Sequence, residues 1–491
     1  MFFPYPSLLF PWCVRTKYDL IESSNDRSKS NFSKEEWHID PLKKQYWHIE
    51  PDRGLLNDPN GLSWFHGLYY AFFQWNRFEK NHSHKEWGYC TSPDLTHWTF
   101  HGSALLPDQS YDAQGVYSGS ALVIDDALHL FYTGNVKQDG QRRSSQCLAI
   151  STDGQHFLKT GPMFTTPDGY TEHFRDPKVF HAGGTYWMVI GAQQRTGKGA
   201  IVLFSSSNAQ HWNLIGPLAQ SEACQMIECP DLFLIDDTAV LLYCPQWRDN
   251  ARDLALHSFA AYKLTHFDTA VGTLDDRNLD DNRHLLDQGF DFYAPQTLQT
   301  PDGRWVILGW MSRMEDTQEA AFCQNEPRIH CLTMPRELFI KDGKLCQRPV
   351  RELSALLGAA VAPERSDSGL RFAPSRRYFR LMLEAPTGCS DLELSFGDGE
   401  WRFIYDAQQK VGTLTRRSWV QDREETRSFA LETCTALELW SDQSSIELFV
   451  NGGAHVLSAR VFPTASQPDL RISGIDTHTT VQVNELCMNE N

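Results

Sequence analysis

The 491-residue chain is long enough for two or three domains, and its 41% hydrophobic content supports packed cores. The net charge of −17 argues against nucleic acid or an anionic membrane as the main partner, because both would need a basic surface, whereas a small neutral substrate fits. The twelve cysteines form no CxxC pair and no repeated spacing, so the sequence predicts no metal site, no disulfide scaffold and a reducing compartment.

Residues 1–36 are interpreted as an N-terminal extension that is not cleaved. The opening residues, MFFPYPSLLFPWCV, are apolar, but no basic residue precedes them, and they contain three prolines and no small-residue cleavage site. No run of about eighteen apolar residues occurs anywhere in the sequence, so no membrane span is expected. We therefore predict a cytoplasmic protein.

A repeat of about sixty residues runs through residues 37–350. Five segments each place a polar start before an apolar strand, a two-residue hairpin turn and a second strand, and their starts lie 60, 58, 55 and 64 residues apart. Five such units arranged radially predict an all-β domain, a five-bladed β-propeller. The segments are NDPNGLSWFHGLYYAFFQW, SGSALVIDDALHLFYTG, RDPKVFHAGGTYWMVIGA, CPDLFLIDDTAVLLYC and APQTLQTPDGRWVILGW.

Three histidines recur at one position of the repeat. SPDLTHW, STDGQHF and SSNAQHW share the pattern Ser-x-Asp/Asn-x-x-His-aromatic, at spacings of 59 and 55 residues. Because a catalytic group has no reason to recur in every blade, we assign His97, His156 and His211 to the architecture of the propeller.

Residues 351–491 have a different sequence pattern. Short strands in which polar and apolar residues alternate follow one another between turn residues, as in YFRLMLEA, DLELSF and SIELFVNGG. This period of two predicts an antiparallel β-sandwich. The segment contains no cluster of reactive groups, so we predict a role in packing or in homo-oligomer formation.

Three carboxylic acids lie at or beside the starts of repeat units: Asp58 in NDPNG, Asp176 in FRDPK and Glu228 in MIECPD. The innermost strand of each blade lines the central funnel of a propeller, so acids at the same phase of several blades are expected to converge there. Glycoside hydrolysis needs such a set, because one carboxylate attacks the anomeric carbon and a second carboxyl group protonates the leaving oxygen. Asp231, at the start of the fourth unit, is better explained by a structural role.

The local sequence suggests a division of roles among these acids. The Asn, Pro and Gly residues around Asp58 are typical of a tight turn, and that turn would present an ionised Asp58 as the nucleophile. The apolar neighbours of Glu228 would favour its protonated form, as a general acid requires. Arg175 precedes Asp176, and an ion pair between them would keep the third carboxylate charged and able to stabilise positive charge.

These motifs resemble the signatures of the β-fructofuranosidase family, glycoside hydrolase family 32, which includes invertases and sucrose-6-phosphate hydrolases. LLNDPNG, FRDPK and ECPD stand in the family's order, together with FFQWN, VYSGSAL, DFYAPQT and ILGWMSR. The resemblance implies a five-bladed propeller followed by a β-sandwich, no cofactor and no metal, and hydrolysis of sucrose or sucrose 6-phosphate. It implies Asp58 as nucleophile, Glu228 as acid/base and Asp176 as transition-state stabiliser.

The resemblance also implies contacts to the fructosyl unit from Asn57, Gln74, Trp87, Tyr117, Ser118 and Arg175. Tyr293 and Trp310 are predicted cleft residues, with core packing as an alternative. A 6-phosphate would need cations at the cleft edge. The candidates are His82, His84, Lys85, Arg195 and Lys198. Each of them could equally be a solvated loop residue without a role in binding.

Two other functions stay open at this point. A levanase, an inulinase or a fructosyltransferase would use the same three carboxylates, and only the substrate or the acceptor of the fructosyl group would differ. A propeller that binds sugars or other partners without catalysis is the alternative from another class. Such a protein would have no reason to keep three converging carboxylates.

Overall fold

A computed structural model describes residues 40–138, 140–247, 259–312, 316–324, 326–366, 369–397, 399–462 and 469–487. The predicted N-terminal extension, residues 1–36, lies outside the described residues. The all-β prediction is confirmed, since helix within the described ranges is confined to α1 (Asp316–Cys323) and a 3₁₀ helix (Arg351–Leu356). No helix in these ranges is long and apolar enough to cross a membrane.

Residues 54–349 form antiparallel sheets that follow one another along the chain. The first sheet contains β1 (Gly54–Phe65), β2 (Leu68–Asn76), β3 (Glu86–Ser92) and β4 (Thr99–Leu105). The second contains β5 (Val116–Ile124), β6 (Ala127–Gln138), β7 (Gln141–Ser151) and β8 (Leu158–Thr165). The third contains β9 (Tyr170–Ala182), β10 (Thr185–Gln194), β11 (Gly199–Ser206) and β12 (Asn213–Ser221).

The two later sheets are less regular. The fourth contains β13 (Met226–Ile235), β14 (Thr238–Gln246), β15 (Ala261–Thr265) and, after a hairpin of β16 (Phe267–Asp268) and β17 (Thr273–Leu274), β18 (His284–Leu285). The fifth begins with β19 (Tyr293–Gln299) and β20 (Trp305–Met311). Next, β21 (Arg328–Ile329) pairs in parallel with the start of β1, and β22 (Cys331–Leu332) pairs with β20. The fifth sheet ends with β23 (Arg336–Lys341) and β24 (Lys344–Pro349).

The first strands of these sheets pack against one another in a closed order. β1 contacts β5, β5 contacts β9, β9 contacts β13, β13 contacts β19, and β19 returns to β1. A propeller arranges its innermost strands in this way around its axis. The predicted propeller is confirmed. Five remains the predicted number of blades, and the closed order of strands supports it.

Tight hairpins join the first two strands of the early sheets, as predicted. Both turn residues have a positive φ at His66–Gly67, Asp125–Asp126 and Gly183–Gly184, as in the turns that match the twist of paired strands. The two-residue turn predicted for the fifth hairpin is wrong. There the loop is longer, because the amide of Thr300 donates to the carbonyl oxygen of Arg304 (2.8 Å) and closes a wider turn.

The predicted β-sandwich is confirmed in residues 357–486. One sheet has the order β25–β37–β28–β33–β34–β35, with strands β25 (Leu357–Ala360), β28 (Phe379–Glu384), β33 (Ala436–Asp442), β34 (Ser445–Val450), β35 (His455–Arg460) and β37 (Thr480–Leu486). The other has the order β26–β27–β36–β29–β30–β31–β32, with strands β26 (Glu364–Ser366), β27 (Gly369–Phe372), β29 (Asp391–Phe396), β30 (Trp401–Asp406), β31 (Val411–Arg417), β32 (Glu424–Ala430) and β36 (Leu470–Ser473). Leu381, Leu394, Phe403 and Leu448 from both sheets share one buried core.

A buried ionic network joins the propeller to the sandwich. Arg336 on β23 donates to Glu447 on β34 (Nε to Oε2, 2.7 Å) and to Asp287 (Nη1 to Oδ2, 3.0 Å). The His48 ring contacts Glu447 and Asp442, each at 2.8 Å. Burial disfavours the charged imidazole, but hydrogen bonds with the two carboxylates and their charges raise the pKa of His48 to about 9.

We expect the stability that His48 supplies to depend on pH. Because folding raises its pKa from 6.5 to about 9, the contribution is complete below about pH 6.5 and is lost as the pH rises through about 9. The variant His48→Gln removes a charged partner from two buried carboxylates, which costs about 3 to 5 kcal/mol in such pairs. Thermal unfolding should separate the variant from the native protein most widely at low pH. The control is His97→Gln, which changes an exposed histidine. A difference in unfolding temperature between His48→Gln and the native protein that does not change with pH would contradict the prediction.

Candidate active site

A break in strand pairing recurs in the innermost strand of each sheet. The pairing of β1 with β2 shifts between Leu56 and Pro59, and the pairing of β13 with β14 shifts just after Glu228. Corresponding shifts interrupt β5, β9 and β19. Bulges of this kind bend a strand and re-aim its side chains. Asp58, Asp176 and Glu228 all lie at such breaks. Asp58 and Asp176 each precede the proline of the break, whereas Glu228 lies one residue earlier, and Cys229 holds the position equivalent to theirs.

The Asp58 carboxylate is held by donors from β1 and β5. Asn57 Nδ2 donates to its Oδ1 (2.9 Å), and Ser118 Oγ donates to its Oδ2 (2.5 Å). Both donors are buried, whereas Asp58 itself is partly exposed. The carboxylate is therefore fixed from the protein side and accessible from the other, which suits a nucleophile.

A second layer of hydrogen bonds positions Asn57. Lys85 Nζ donates to Asn57 Oδ1 (2.6 Å), and Asn57 Nδ2 also donates to Gln74 Oε1 (2.9 Å). Lys85 Nζ lies 2.8 Å from His82 Nδ1 as well. Burial lowers the pKa of Lys85 to about 8, although nearby carboxylates, Asp58 first among them, act in the opposite direction. Lys85, which the sequence offered as a phosphate ligand, is thus hydrogen-bonded to Asn57, the residue that orients the predicted nucleophile.

Asp176 lies where two other carboxylates influence it. Burial raises its pKa above the usual 3.8; Arg175 lowers it, while the charges of Glu228 and Asp58 raise it further. The Cys229 thiol sits between two of the acids, with Sγ 3.7 Å from Asp176 Oδ2 and 4.0 Å from Asp58 Oδ2. The three predicted carboxylates therefore share one region of the structure.

Strained backbone brings a further donor to Asp176. Asp176 and Cys229 have φ values of 66° and 47°, which residues other than glycine rarely adopt, and each precedes a proline. Such strain costs about 1 to 3 kcal/mol and persists where the surroundings enforce it, often at functional sites. Here the amide of Cys229 donates to Asp176 Oδ2 (3.0 Å).

The carboxylate of Glu228 has polar rather than apolar surroundings. Arg175 Nη2 donates to Oε1 (2.5 Å), and Tyr293 OH (2.9 Å) and Gln246 Nε2 donate to Oε2. The apolar setting expected from the neighbours of Glu228 in sequence is therefore wrong, because polar donors from three other strands surround its carboxylate. Arg175 also pairs more closely with Glu228 than with Asp176, its predicted partner, since Arg175 Nε lies 3.9 Å from Asp176 Oδ2.

The aromatic residues predicted to contact substrate take different positions. Trp87 is fully buried and donates through its indole to the carbonyl oxygen of Tyr117 (3.1 Å), so it supports Tyr117 from behind. Trp310 packs edge-to-face against Tyr293, with ring centres 6.3 Å apart. Its indole nitrogen has no hydrogen-bond partner in the described parts of the chain, which leaves a donor unused beside Tyr293.

The residues assigned to architecture have local partners. Each of the three recurring histidines contacts the Asp or Asn three residues before it, in an exposed turn: His97 with Asp94 (2.8 Å), His156 with Asp153 (2.7 Å) and His211 with Asn208 (3.2 Å). Asp231 accepts from Lys178 Nζ (2.8 Å) and from the amide of Thr297 (2.9 Å), and all three are buried. These contacts agree with the predicted structural roles.

Sequence reasoning missed Gln246, gave no role in the site to Cys229, and considered Lys85 only as a phosphate ligand and not as a support of Asn57. Gln246 lies at the end of β14, opposite Met226 on β13, and so comes beside Glu228 through the register of the two strands. Its position at the end of the second strand of the fourth hairpin was a signal, but the register that makes it a neighbour of Glu228 is not visible in the sequence. Cys229 acts through its backbone amide, which residue type does not reveal.

The arrangement offers carboxyl groups for nucleophilic attack and proton transfer. In the part of the chain that the structure describes, no three His, Cys, Asp or Glu side chains are grouped as ligands for a metal ion. The three acids are instead oriented by N–H and O–H donors of the protein. Such a set can form and break a glycosyl–enzyme bond, because one carboxylate can attack while another carboxyl group moves a proton.

Replacing Asp176 by asparagine should stabilise the protein. A carboxyl group whose pKa is raised by folding contributes stability at low pH that is lost as the pH rises through its value in the folded state. We therefore expect Asp176→Asn to raise the apparent unfolding temperature at about pH 8 by roughly 2 to 4 °C, with little difference at about pH 4. The matched control is Asp231→Asn, which breaks a buried ion pair with Lys178 and should destabilise instead. A lower unfolding temperature for both variants at about pH 8 would contradict the prediction.

Comparison with known proteins identifies a common family. The sequence model of the "Glycosyl hydrolases family 32 N-terminal domain" matches residues 48–349, and that of the "Glycosyl hydrolases family 32 C terminal" matches residues 375–488. The chain is 39% identical over 463 residues to a sucrose-6-phosphate hydrolase of Bacillus subtilis (strain 168), covering 91% of this chain and 93% of that protein. It is 40% identical over 434 residues to a sucrose-6-phosphate hydrolase of Salmonella typhimurium, covering 87% and 90%.

Solved structures show the same architecture. The structure of sucrose-6-phosphate hydrolase from Lactobacillus gasseri matches with a TM-score of 0.80 at 29% identity, covering 91% of this chain and 94% of that one. A GH32 beta-fructofuranosidase from Bombyx mori matches with a TM-score of 0.80 at 26% identity, covering 92% and 95%, and a mutant of it was solved in complex with sucrose. Both similarities extend across the propeller and the sandwich.

Proposed function

The chain belongs to glycoside hydrolase family 32, and we propose that it is a retaining β-fructofuranosidase that hydrolyses the terminal β-D-fructofuranoside bond of sucrose or sucrose 6-phosphate. It is a glycoside hydrolase with a saccharide substrate. The observation that carries the proposal is the convergence of Asp58, Asp176 and Glu228, each at the pairing break of an inner propeller strand.

We assign the first chemical step to Asp58 and Glu228. Glu228 donates its proton to the glycosidic oxygen as the bond to the fructosyl anomeric carbon breaks, and the Asp58 carboxylate forms an ester with that carbon. The orientation of Asp58 by Asn57 and Ser118 supports this assignment, because a fixed nucleophile needs little reorganisation to attack. In the second step, Glu228 removes a proton from water, the water attacks the same carbon, and Asp58 departs as a carboxylate.

We assign Asp176 to the binding of fructosyl hydroxyl groups and to electrostatic stabilisation of the positive charge that develops on the ring. The Arg175 guanidinium and the hydrogen bond from the Cys229 amide support this assignment, because both favour the charged form of Asp176, and a carboxylate in a site with little water interacts strongly with nearby charge. The remaining proposed contacts to the fructosyl unit are Asn57, Gln74, Trp87, Tyr117, Ser118, Arg175, Tyr293 and Trp310. Among them, Trp310 is buried and packs against Tyr293, and Trp87 donates to the carbonyl oxygen of Tyr117, so each would act by positioning a tyrosine.

The proposed function is tested with the purified protein and two substrates. Release of fructose from sucrose and from sucrose 6-phosphate is measured, and the anomer formed first is identified by NMR before mutarotation. A retaining enzyme releases β-fructofuranose first, and the α anomer would exclude the proposed mechanism. Oligofructosides formed at high sucrose concentration would identify a transferase instead, and absence of fructose release from both substrates would exclude the proposed function.

We also propose a cytoplasmic location, a homo-oligomer that associates through the sandwich, and a domain boundary after residue 350. The described cysteines are free thiols and most are buried, which suits a reducing compartment. The last propeller strand ends at Pro349 and the first sandwich strand begins at Leu357, which supports the boundary. Cell fractionation tests the location, and sedimentation equilibrium of the full chain and of a chain without the sandwich tests the oligomer.

A further inference from the structure

Most cations that the sequence offers for binding a phosphate are already engaged. Lys85 contacts His82 and donates to Asn57. His84 pairs with Glu86 (2.9 Å), and Lys198 pairs with Glu222 (2.5 Å). Arg195 differs, since no carboxylate of the described residues lies within ion-pair distance of it. The side chain is exposed and lines a cavity of about 650 Å³.

Two more arginines line the same cavity. Arg142 and Arg143, at the start of β7, face it together with Arg195 after β10, and neither has a carboxylate partner within the described ranges. The carboxylates of Asp168 and Glu172 also line the cavity, so three cations stand against two acids. Guanidinium groups bind phosphate oxygens through several parallel N–H donors, which makes arginine well suited to this ligand.

The cavity adjoins the proposed active site on two sides. The Arg142 guanidinium lies 5.8 Å from the centre of the Tyr117 ring, and the next residue, Ser118, donates to the proposed nucleophile. On the other side, β9 runs from the cavity wall at Glu172 to Arg175 within three residues, about 10 Å at the usual rise of a strand. A leaving group that extends from the scissile bond therefore has the cavity within reach.

The electrostatic environment between the cavity and the active site favours an anion. His173 lies on β9 between them; burial, then Arg175 and to a smaller degree Arg142, lower its pKa, while Glu172 acts in the opposite direction. Its ring is 3.3 Å from Arg175 Nη1. Burial is the main cause of this shift, but the guanidinium groups of Arg175 and Arg142 both add positive potential at this point, and positive potential attracts a dianionic phosphate.

We propose that this cavity, lined by Arg142, Arg143 and Arg195, binds the phosphate of a phosphorylated leaving group, so that the preferred substrate is sucrose 6-phosphate rather than sucrose. This inference rests on the proposed function for the reaction itself. It adds the site that distinguishes the two substrates. Arg142 and Arg195 approach the cavity from different sheets and would hold the phosphate between them.

The test compares the ratio of kcat/KM for sucrose 6-phosphate to kcat/KM for sucrose. In the native protein we expect a ratio well above one, and in Arg142→Gln and Arg195→Gln we expect it to fall about 10-fold to 100-fold, the usual cost of a lost charge-assisted hydrogen bond. Lys198→Gln is the matched control, because it removes a cation of the same loop that is already paired with Glu222. Its ratio should stay within about twofold of the native value.

A binding measurement separates failure of this inference from failure of the proposed function. Calorimetry with glucose 6-phosphate and with glucose should show that the native protein prefers the phosphorylated sugar and that Arg195→Gln loses the preference. If the native protein releases no fructose but binds glucose 6-phosphate in this way, the site stands and the proposed function fails. If native and arginine variants show the same substrate ratio and the same binding, or if Lys198→Gln changes both as much as Arg195→Gln does, the inference is overturned.

Discussion

Replacing Asp58 by asparagine is expected to lower kcat for sucrose by roughly 10⁴-fold or more, because an amide cannot form the glycosyl–enzyme bond. The hydrogen bonds that Asn57 and Ser118 donate to the Asp58 oxygens can in large part be kept by the amide oxygen and a rotated hydroxyl group, so the fold should persist. Steady-state kinetics and thermal unfolding of the same preparation measure the two effects.

Asp231→Asn is the matched control for Asp58→Asn. It also removes a buried carboxylate near the start of an inner strand, but one that binds Lys178 and the Thr297 amide instead of facing the site. We expect it to lower stability and to leave kcat, at a temperature where the protein is folded, within a few-fold of the native value. Native turnover in Asp58→Asn, or an equal loss of kcat in Asp231→Asn, would exclude Asp58 as the nucleophile.

Replacing Glu228 by glutamine is expected to lower kcat/KM for sucrose by about 10²-fold to 10⁴-fold, the usual contribution of general acid–base catalysis. The loss affects both steps, because Glu228 is proposed to donate a proton in the first and to accept one in the second. The amide oxygen can still accept from Arg175, and the amide NH2 can donate to the hydroxyl oxygen of Tyr293, so substrate binding should change less than turnover. Comparison of kcat and KM with the native values measures this difference.

An added nucleophile distinguishes the role of Glu228 from that of Asp58. Azide needs no general base, so it can replace water in the second step and should raise the turnover of Glu228→Gln on a fructoside with a good leaving group, with fructosyl azide as product. The same addition should not help Asp58→Asn, which forms no glycosyl–enzyme. Rescue of Asp58→Asn, or no azide product from Glu228→Gln, would contradict the assigned roles.

Much of the fold follows from local pattern. Strand-forming residues, turn dipeptides and the spacing of about sixty residues predict the propeller, because hairpin chemistry depends on neighbours in sequence. The fifth hairpin has a longer turn than the two residues predicted. The hydrogen bond from the amide of Thr300 to the carbonyl oxygen of Arg304 encloses Pro301–Gly303, and residue types alone do not select this longer turn. The choice of Asp58, Asp176 and Glu228 as candidates also follows from the repeat, because residues at the same phase, or next to it, come to neighbouring points of successive blades.

The surroundings of those acids could not be predicted in the same way. The neighbours of Glu228 in sequence are apolar, yet its carboxylate meets Arg175, Tyr293 and Gln246, which come from three other strands. The register of β13 with β14 and the packing of β9 and β19 against β13 bring these groups together. None of these contacts is encoded in a local sequence pattern, because the direction of a side chain at a bulge depends on strand pairing on both sides of the bulge.

By itself, the sequence determined the strand pattern, the repeat, the order of the two domains and the choice of the three acids as catalytic candidates, because these depend on periodicity and on residue type. Only the tertiary structure decided the partners of each acid, the place of Lys85 behind Asn57, and the grouping of Arg142, Arg143 and Arg195 in one cavity. Apart from the adjacent Arg142 and Arg143, the residues of each group come from different segments of the chain. Hydrogen bonds and charge effects act over a few ångströms, so they are set by the way strands pack, and a linear pattern cannot specify them.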